Sequence, residues 1–256
     1  MRQDGGKTFA PRLLHGRKLL STGRIGRLTA LAGLGLLVLL AAFEPALAHG
    51  IGGKDAAFVS ATRGPDFWPF LYLGAKHMVT GYDHLLFILG VIFFLYRLKH
   101  VALYVTLFSI GHSITLLAGV LMKIEVNAYV VDAIIGLSVV YKAFDNLGGF
   151  KTLFGVQPDA RVAVLGFGLI HGFGLATKLQ ALRLPSRGLV ENMISFNIGV
   201  EVGQLIALTL ILAVMVLWRR TASFGRLSIA ANVLIMTAGF ALIGYQLGGL
   251  VLNGNA

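Results

Sequence analysis

From residue 67 onward, long apolar stretches alternate with short polar breaks. Six stretches come close to or exceed the roughly 20 residues that an α-helix needs to cross a bilayer. Their bounds are 68–96, 101–122, 126–144, 160–182, 190–218 and 227–251. We therefore predict an all-α, polytopic integral membrane protein with about six transmembrane helices after an N-terminal signal peptide.

The first of these stretches is too long for one straight crossing, and Gly81 lies near its middle. We expect residues 67–79 to form an interfacial or half-buried segment that breaks near Gly81, where a second segment begins. Broken backbone at membrane depth is tolerated only where protein or a water-filled cavity satisfies its polar groups. A break here would therefore present backbone groups to a bound ion.

The first 48 residues have the pattern of a secretory signal peptide. Seven Lys and Arg residues precede the apolar run 28–43, and Ala46-Leu47-Ala48 fits a cleavage site with small residues. We predict cleavage after Ala48, a short periplasmic segment at 49–66 and a six-helix membrane domain at 67–256. An uncleaved signal anchor is the alternative. Cleavage and six crossings place both mature termini on the periplasmic side of a bacterial inner membrane.

Composition and charge agree with this class of protein. Hydrophobic residues make up 56% of the chain and charged residues only 13%. Removing the seven basic and two acidic residues of 1–48 lowers the net charge from +11 to +6. The remaining basic residues lie mainly in predicted loops, and none of the patterns of a nucleic-acid-binding module is present. The chain has no cysteine, so thiolate metal ligands and disulfides are excluded.

Two histidines and an aspartate stand at the start of an apolar run. His77 is followed by Gly81, Asp83 and His84, and then by the apolar residues 85–95. On a continuous helix His77 and His84 would share nearly one face. Burying such groups in a membrane costs about 2.5–3.5 kcal/mol each on insertion scales, unless they are paired or face water. We therefore predict that these three side chains bind a divalent metal ion.

The later stretches each carry further polar groups within apolar sequence. The candidate metal ligands among them are His112, Asp132 and His171. Asn197, Glu201 and Gln204 form a polar stripe in the fifth stretch, and Ser113 follows His112. We expect Asn197 and Gln204 to bond between helices and Glu201 to orient a histidine or carry protons. A lone His112 or His171 could instead hydrogen-bond a neighbouring carbonyl group.

Two further features concern packing and the mature terminus. Gly168 and Gly172, Gly199 and Gly203, and Gly244 and Gly248 follow the spacing that lets membrane helices approach closely. Cleavage after Ala48 would make His49 the first residue, so that its α-amino group and imidazole could chelate one metal ion.

The motifs together resemble the HupE/UreJ family of hydrogenase and urease accessory membrane proteins, predicted nickel or cobalt permeases. The resemblance is carried by the His77–His84 motif with its Leu-Leu-Phe continuation, by 111–116, by 132–138, by 167–174 and by 196–204. It implies six transmembrane helices after a cleaved signal peptide, with metal ligands in the first motif. Met78 replaces a proline favoured in the hydrogenase-linked branch, and Asp132 a frequent glutamate. Both differences favour the second HupE/UreJ branch.

We therefore expect a membrane permease for a divalent transition metal, Ni²⁺ or Co²⁺ before Zn²⁺, that supplies metalloenzyme maturation. Its expected partners are the lipid bilayer, the metal ion and urease or hydrogenase maturation machinery; no organic cofactor and no nucleic acid are expected. One alternative is an intramembrane zinc hydrolase using the histidines, the aspartate and Ser113. The other is a metal-sensing or assembly protein that does not transport.

Overall fold

The computed structural model of the chain describes residues 53–182, 184 and 187–253. All regular elements in these residues are helices: α1 (Gly53–Ala61), α2 (Phe67–Thr80), α3 (Tyr82–Ile92), α4 (Leu98–Leu121), α5 (Ala128–Asn146), α6 (Gly149–Phe154), α7 (Ala160–Gln180), α8 (Leu189–Arg219) and α9 (Ala222–Asn253). The all-α class predicted from the sequence is confirmed. The predicted signal peptide and His49 lie outside the described residues.

Four of these helices, α4, α7, α8 and α9, are long and apolar enough to cross a membrane. Their bounds lie within a few residues of the predicted stretches, except that α9 begins five residues early. Helix α5 also follows its prediction, but it has 19 residues and carries charges at Asp132, Lys142 and Asp145. Helix α3 is a shorter apolar helix of 11 residues.

The predicted interruption of the first stretch occurs at Gly81. Helix α2 ends at Thr80 and α3 begins at Tyr82, with extended backbone at Gly81 between them. The Gly81 N–H donates to the His77 carbonyl at 2.8 Å, and the Leu85 N–H donates to the Gly81 carbonyl at 3.0 Å. The N–H and the carbonyl of Gly81 are therefore both satisfied within the protein, as a membrane environment requires.

Helices α2 and α8 approach each other closely through glycines. A side chain at Gly199 would collide with the Leu71 carbonyl, and one at Gly203 would meet Ala75. The predicted packing role of this pair is confirmed. The residue numbers rise together from the first contact to the second, from 71 to 75 in α2 and from 199 to 203 in α8. The two helices therefore run in the same direction.

Helices α4 and α7 form a second close pair, again through glycines. Gly168 lies against the backbone of Phe108, and Gly172 lies against His112. These contacts also advance together, so α4 and α7 are parallel. The second predicted glycine pair is therefore confirmed as a packing contact.

Helices α5 and α9 form the third close pair. Gly136 lies against Ile243, and Gly239 lies against Val140, so these two helices run in opposite directions. The prediction for Gly244 and Gly248 is wrong for the described residues, because none of their atoms lies within 4 Å of a Cβ atom at either position, apart from those of the same stretch of α9. These glycines are on a part of α9 that the described residues leave uncovered.

Helix α3 lies among the longer helices, and its end is held by α8. The buried side of α3 includes Asp83, His84, Phe87 and Ile92. The Arg219 guanidinium of α8 donates hydrogen bonds to the carbonyls of Phe93 and Leu95, both at 2.9 Å, and to that of Ile92. These carbonyls lie at and just beyond the C-terminus of α3, where the last carbonyls of a helix have no N–H donors of their own and a cation is favoured.

Candidate functional site

Four histidines from four helices lie close together, and the ring of His84 contacts the other three. Its ring centroid lies 5.2 Å from that of His77, 5.7 Å from that of His112 and 4.8 Å from that of His171. We call these four residues the histidine cluster. His84, His112 and His171 are buried, and the last two lie near the middle of α4 and α7. With Asp83, which hydrogen-bonds to His84, the structure thus brings together five of the six predicted ligands.

The break at Gly81 brings the first two histidines together. His77 lies in α2 and His84 in α3, so the seven-residue spacing of a continuous helix does not apply. A Cβ atom at Gly81 would lie 3.2 Å from both Asp83 Oδ1 and His84 Nδ1, which is tighter than ordinary contact. Glycine therefore permits the close approach of this aspartate and histidine to the backbone turn.

Asp83 is buried beside His84 and hydrogen-bonds to it twice. Its Oδ1 accepts from the His84 backbone N–H at 2.8 Å and lies 2.9 Å from Nδ1 of the same ring. A carboxylate at Nδ1 stabilises the tautomer with its proton there, and this leaves the lone pair on Nε2. The geometry gives His84 the form in which histidine binds metal ions.

His171 is oriented by a serine of α5. Ser138 Oγ donates to the Ile135 carbonyl at 2.6 Å, so the same oxygen accepts from His171 Nε2–H, at 3.1 Å. This pairing places the lone pair of the His171 ring on Nδ1. Thr115 further joins α4 to α7 by donating to the Leu169 carbonyl at 2.6 Å.

Two phenylalanines form an apolar wall beside the histidine cluster. The Phe108 ring lies 5.0 Å from that of His171 and 6.1 Å from that of His84. The Phe87 ring lies 5.4 Å from that of His171. Such packing lowers the local dielectric constant, which strengthens electrostatic interactions and raises the penalty for an unpaired polar group.

Several nitrogens of the cluster are buried without hydrogen-bond partners within the described chain. These are Nε2 of His77, Nε2 of His84 and both ring nitrogens of His112. Buried polar atoms are nearly always satisfied, so these nitrogens suit a bound ion or water. Within the described residues no group of three His, Asp or Glu side chains is already arranged around one point for a metal ion. The rings pack edge to face, and ligation would require them to turn toward a common point.

Asp132 forms no hydrogen bond with the histidine cluster among the described residues, and it has a partner that the sequence interpretation missed. Its Oδ2 forms an ion pair with Lys178 Nζ at 2.7 Å, and both side chains are largely buried. Lys178 thus provides a basic partner for a carboxylate between two of the helices. It lies in the last turn of α7, which continues to Gln180.

The three residues of the polar stripe of α8 differ in how far they are buried. Gln204 is buried and donates to the Val105 carbonyl of α4 at 3.3 Å, whereas Glu201 is exposed. Ser113 Oγ lies 3.5 Å from Glu201 Oε1, which directs this hydroxyl toward the exposed carboxylate. Asn197 is half-buried, and its Oδ1 has no partner among the described residues.

Comparison with known proteins bears on this arrangement. A family model described as HupE / UreJ protein matches residues 53–253. The chain belongs to the HupE/UreJ family. No curated protein and no solved structure matches it. The membership confirms the family predicted from the motifs, and it makes the chain a multi-pass membrane protein of a metal-related accessory family. In this HupE/UreJ protein the matched region includes the histidine cluster and the Asp132–Lys178 pair.

Three residues that hold other groups in position in this HupE/UreJ protein were not predicted as site residues from the sequence. They are Ser138, Lys178 and Arg219. Ser138 could have been suspected, since it lies six residues after Asp132 in the same motif. Lys178 follows His171 by seven residues, which places both on one face of a helix. Arg219 gave no such signal, because its acceptors are carbonyl groups about 125 residues away in the sequence.

Proposed function

We propose that the chain is a permease for a divalent transition metal ion, with Ni²⁺ or Co²⁺ as the expected substrate and Zn²⁺ as a weaker candidate. The histidine cluster carries this proposal: the imidazoles of His77, His112 and His171 pack around that of His84, and some nitrogens of the cluster have no hydrogen-bond partner among the described residues. Imidazole is a suitable ligand for these metals, and a polar group buried this deep in a membrane is expensive without a function.

The helix directions support a six-crossing path. If α2 with α3 forms one crossing and α5 another, the crossings are numbered in chain order as α2–α3, α4, α5, α7, α8 and α9. Alternating crossings require the first and fifth to be parallel, the second and fourth to be parallel, and the third and sixth to be antiparallel. The glycine contacts of the three close pairs agree with all three requirements. The cleaved signal peptide and the periplasmic termini complete this proposed topology.

Within the path, His77, His84, His112 and His171 are proposed ligands, and Asp83 is proposed to act mainly through His84. A carboxylate that holds Nδ1–H keeps Nε2 available and raises its basicity. Asp132 is proposed as a further ligand at a separate position, where Lys178 is its partner in the structure. Delivered metal would serve the maturation of a urease or hydrogenase, the association given by the family.

The hydrolase alternative has less support. It requires Ser113 to act beside His112, whereas the Ser113 hydroxyl is directed toward Glu201 on the exposed side of α4 and α8. A transport or accessory family also agrees with a protein that is not an enzyme. We therefore place metal translocation ahead of hydrolysis.

The test is the metal content of cells that express the full chain, measured by mass spectrometry across Ni, Co, Zn, Cu, Mn and Fe. Cells with the His84→Ala variant are compared at equal membrane abundance. His100→Ala is the matched control, because His100 is an exposed histidine outside the cluster.

We expect one metal to accumulate in cells that express the unaltered chain or His100→Ala. In cells that express His84→Ala, the content of that metal should equal the content of cells without the protein. Such a result would also name the substrate. Equal content of all six metals in every strain would refute transport, and purified protein would then be assayed for bound zinc and hydrolase activity.

A further inference from the structure

The ion pair between Asp132 and Lys178 is unusual for a membrane interior because it leaves one carboxylate oxygen unused. Lys178 Nζ lies 2.7 Å from Asp132 Oδ2, and the side chains are 20% and 9% exposed, respectively. Asp132 Oδ1 is fully buried and has no hydrogen-bond partner in the described chain. A carboxylate offers about four lone-pair sites, so a single ammonium group does not saturate it.

Gly174 packs closely beside this unused oxygen. A Cβ atom at Gly174 would lie 3.3 Å from Asp132 Oδ1 and 3.1 Å from the Ile135 side chain. Any larger residue would therefore crowd the oxygen. Carboxylate oxygen is a ligand for divalent cations, and here it lies at the α5–α7 contact without a hydrogen-bond partner among the described residues.

The Asp132–Lys178 pair lies where α5 packs against α7. His171 of the histidine cluster lies at the same helix contact. Ser138 of α5 holds His171 of α7, and Asp132 and Lys178 lie six and seven residues away on the two helices. At 1.5 Å per residue this corresponds to a separation of about 10 Å along the helices.

We propose that Lys178 is a tethered cation that occupies the Asp132 carboxylate until a divalent metal ion displaces it, which makes Lys178 a determinant of metal affinity at this position. The proposal rests on the function proposed above. A lysine ammonium is a mobile point charge on a flexible stem, so it can withdraw from the carboxylate without a backbone change. A divalent ion, with twice the charge, competes with this ammonium better than a monovalent ion does.

The test is equilibrium binding of NiCl₂ and CoCl₂ to the purified full chain in lipid nanodiscs, measured by titration calorimetry. Lys178→Met keeps the length of the side chain and removes its charge. We expect it to bind metal about tenfold or more tightly than the unaltered chain, because close charge pairs interact by more than the 1.4 kcal/mol that corresponds to tenfold. The double variant with Asp132→Asn should lose this gain.

The matched control is Lys142→Met, which removes a cation from another largely buried pair of α5. Lys142 Nζ lies 2.5 Å from Asp145 Oδ2, and both side chains are about as buried as those of the first pair. We expect its metal affinity to equal that of the unaltered chain. Lys178→Gln serves as a second variant if Lys178→Met does not fold, and Lys178→Arg, which keeps the charge, should bind as the unaltered chain does.

A gain of affinity separates this role from a structural one, since loss of a merely structural ion pair would lower stability and leave affinity equal or weaker. Equal or weaker binding by Lys178→Met and Lys178→Gln, while the unaltered chain binds metal, would overturn the role of Lys178 and leave the permease proposal intact. Absence of binding by all variants would overturn both proposals. Equal binding of Na⁺ and Ni²⁺ would also overturn the competition mechanism.

Discussion

Asp83 Oδ1 lies 2.9 Å from Nδ1 of the adjacent His84, and both side chains are almost completely buried. The same oxygen accepts the His84 backbone N–H. Two neighbouring residues therefore form a carboxylate–imidazole unit whose outward nitrogen, Nε2, points into a group of other histidines. The aspartate of the sequence motif thus has a partner within the protein, and this partner defines its proposed role.

The first prediction distinguishes orientation of His84 from direct ligation by Asp83. If Asp83 orients His84, Asp83→Ala should weaken Ni²⁺ binding by about 10–100-fold, the usual effect of losing such a partner. Asp83→Asn should have a smaller effect, because the amide oxygen can still accept the Nδ1 proton. Affinities are measured by calorimetry on purified protein.

His84→Ala is the comparison for this series, since it removes the proposed ligand itself. We expect a larger loss for His84→Ala than for either Asp83 variant. If Asp83→Asn and His84→Ala lose binding equally, Asp83 binds the metal directly and the orienting role is wrong.

Much of this arrangement follows from the sequence, and the reason is the bilayer. The membrane requires long apolar helices, so their bounds could be predicted within a few residues, and polar groups that remain inside could be identified as candidate site residues. The break at Gly81 was also predictable from a stretch too long for one crossing. The sequence identified His77, His84, His112 and His171 as candidate ligands, but it did not predict that all four converge, because it contains no information on the distances between them.

The missed features depend on contacts between distant segments. Asp132 and Lys178 are 46 residues apart, so the sequence does not show that they meet. Glu201 and Gln204 lie on neighbouring positions of one stripe, yet packing against α4 buries only Gln204. The periodicity of polar residues identifies one face of a helix. Which residues of that face are buried depends on the helices that pack against it.

The second prediction concerns helix packing. Gly199→Ala should destabilise the protein by about 1–3 kcal/mol, because a methyl group there collides with the backbone of α2 at Leu71. Gly244→Ala is the matched control, since no other helix in the described part of the chain comes within 4 Å of the added carbon. It should leave stability unchanged or raise it slightly through the higher helix propensity of alanine. Thermal unfolding of both variants in one detergent is the measurement, and equal melting temperatures would contradict the close contact.

The third prediction concerns the end of α3. Arg219→Met should destabilise the protein by about 3–5 kcal/mol, because the carbonyls that the guanidinium satisfies would lose their donors in an apolar environment. Arg220→Met changes the same residue type at an exposed neighbouring position and should be nearly neutral. A proteolysis time course at Leu95 and thermal unfolding provide the readouts. Unchanged resistance in Arg219→Met would show that α3 ends stably without this contact.

The fourth prediction separates metal binding from stability at His112. Both ring nitrogens of His112 are buried and lack hydrogen-bond partners in the described structure, so replacing the ring with an apolar side chain removes no hydrogen bond. His112→Leu should therefore melt at an equal or higher temperature without metal, yet lose most of the thermal stabilisation by Ni²⁺. His171→Leu should differ, because it also removes the contact with Ser138 and should lower the melting temperature. A lower melting temperature for His112→Leu, with its response to Ni²⁺ retained, would make His112 a structural residue.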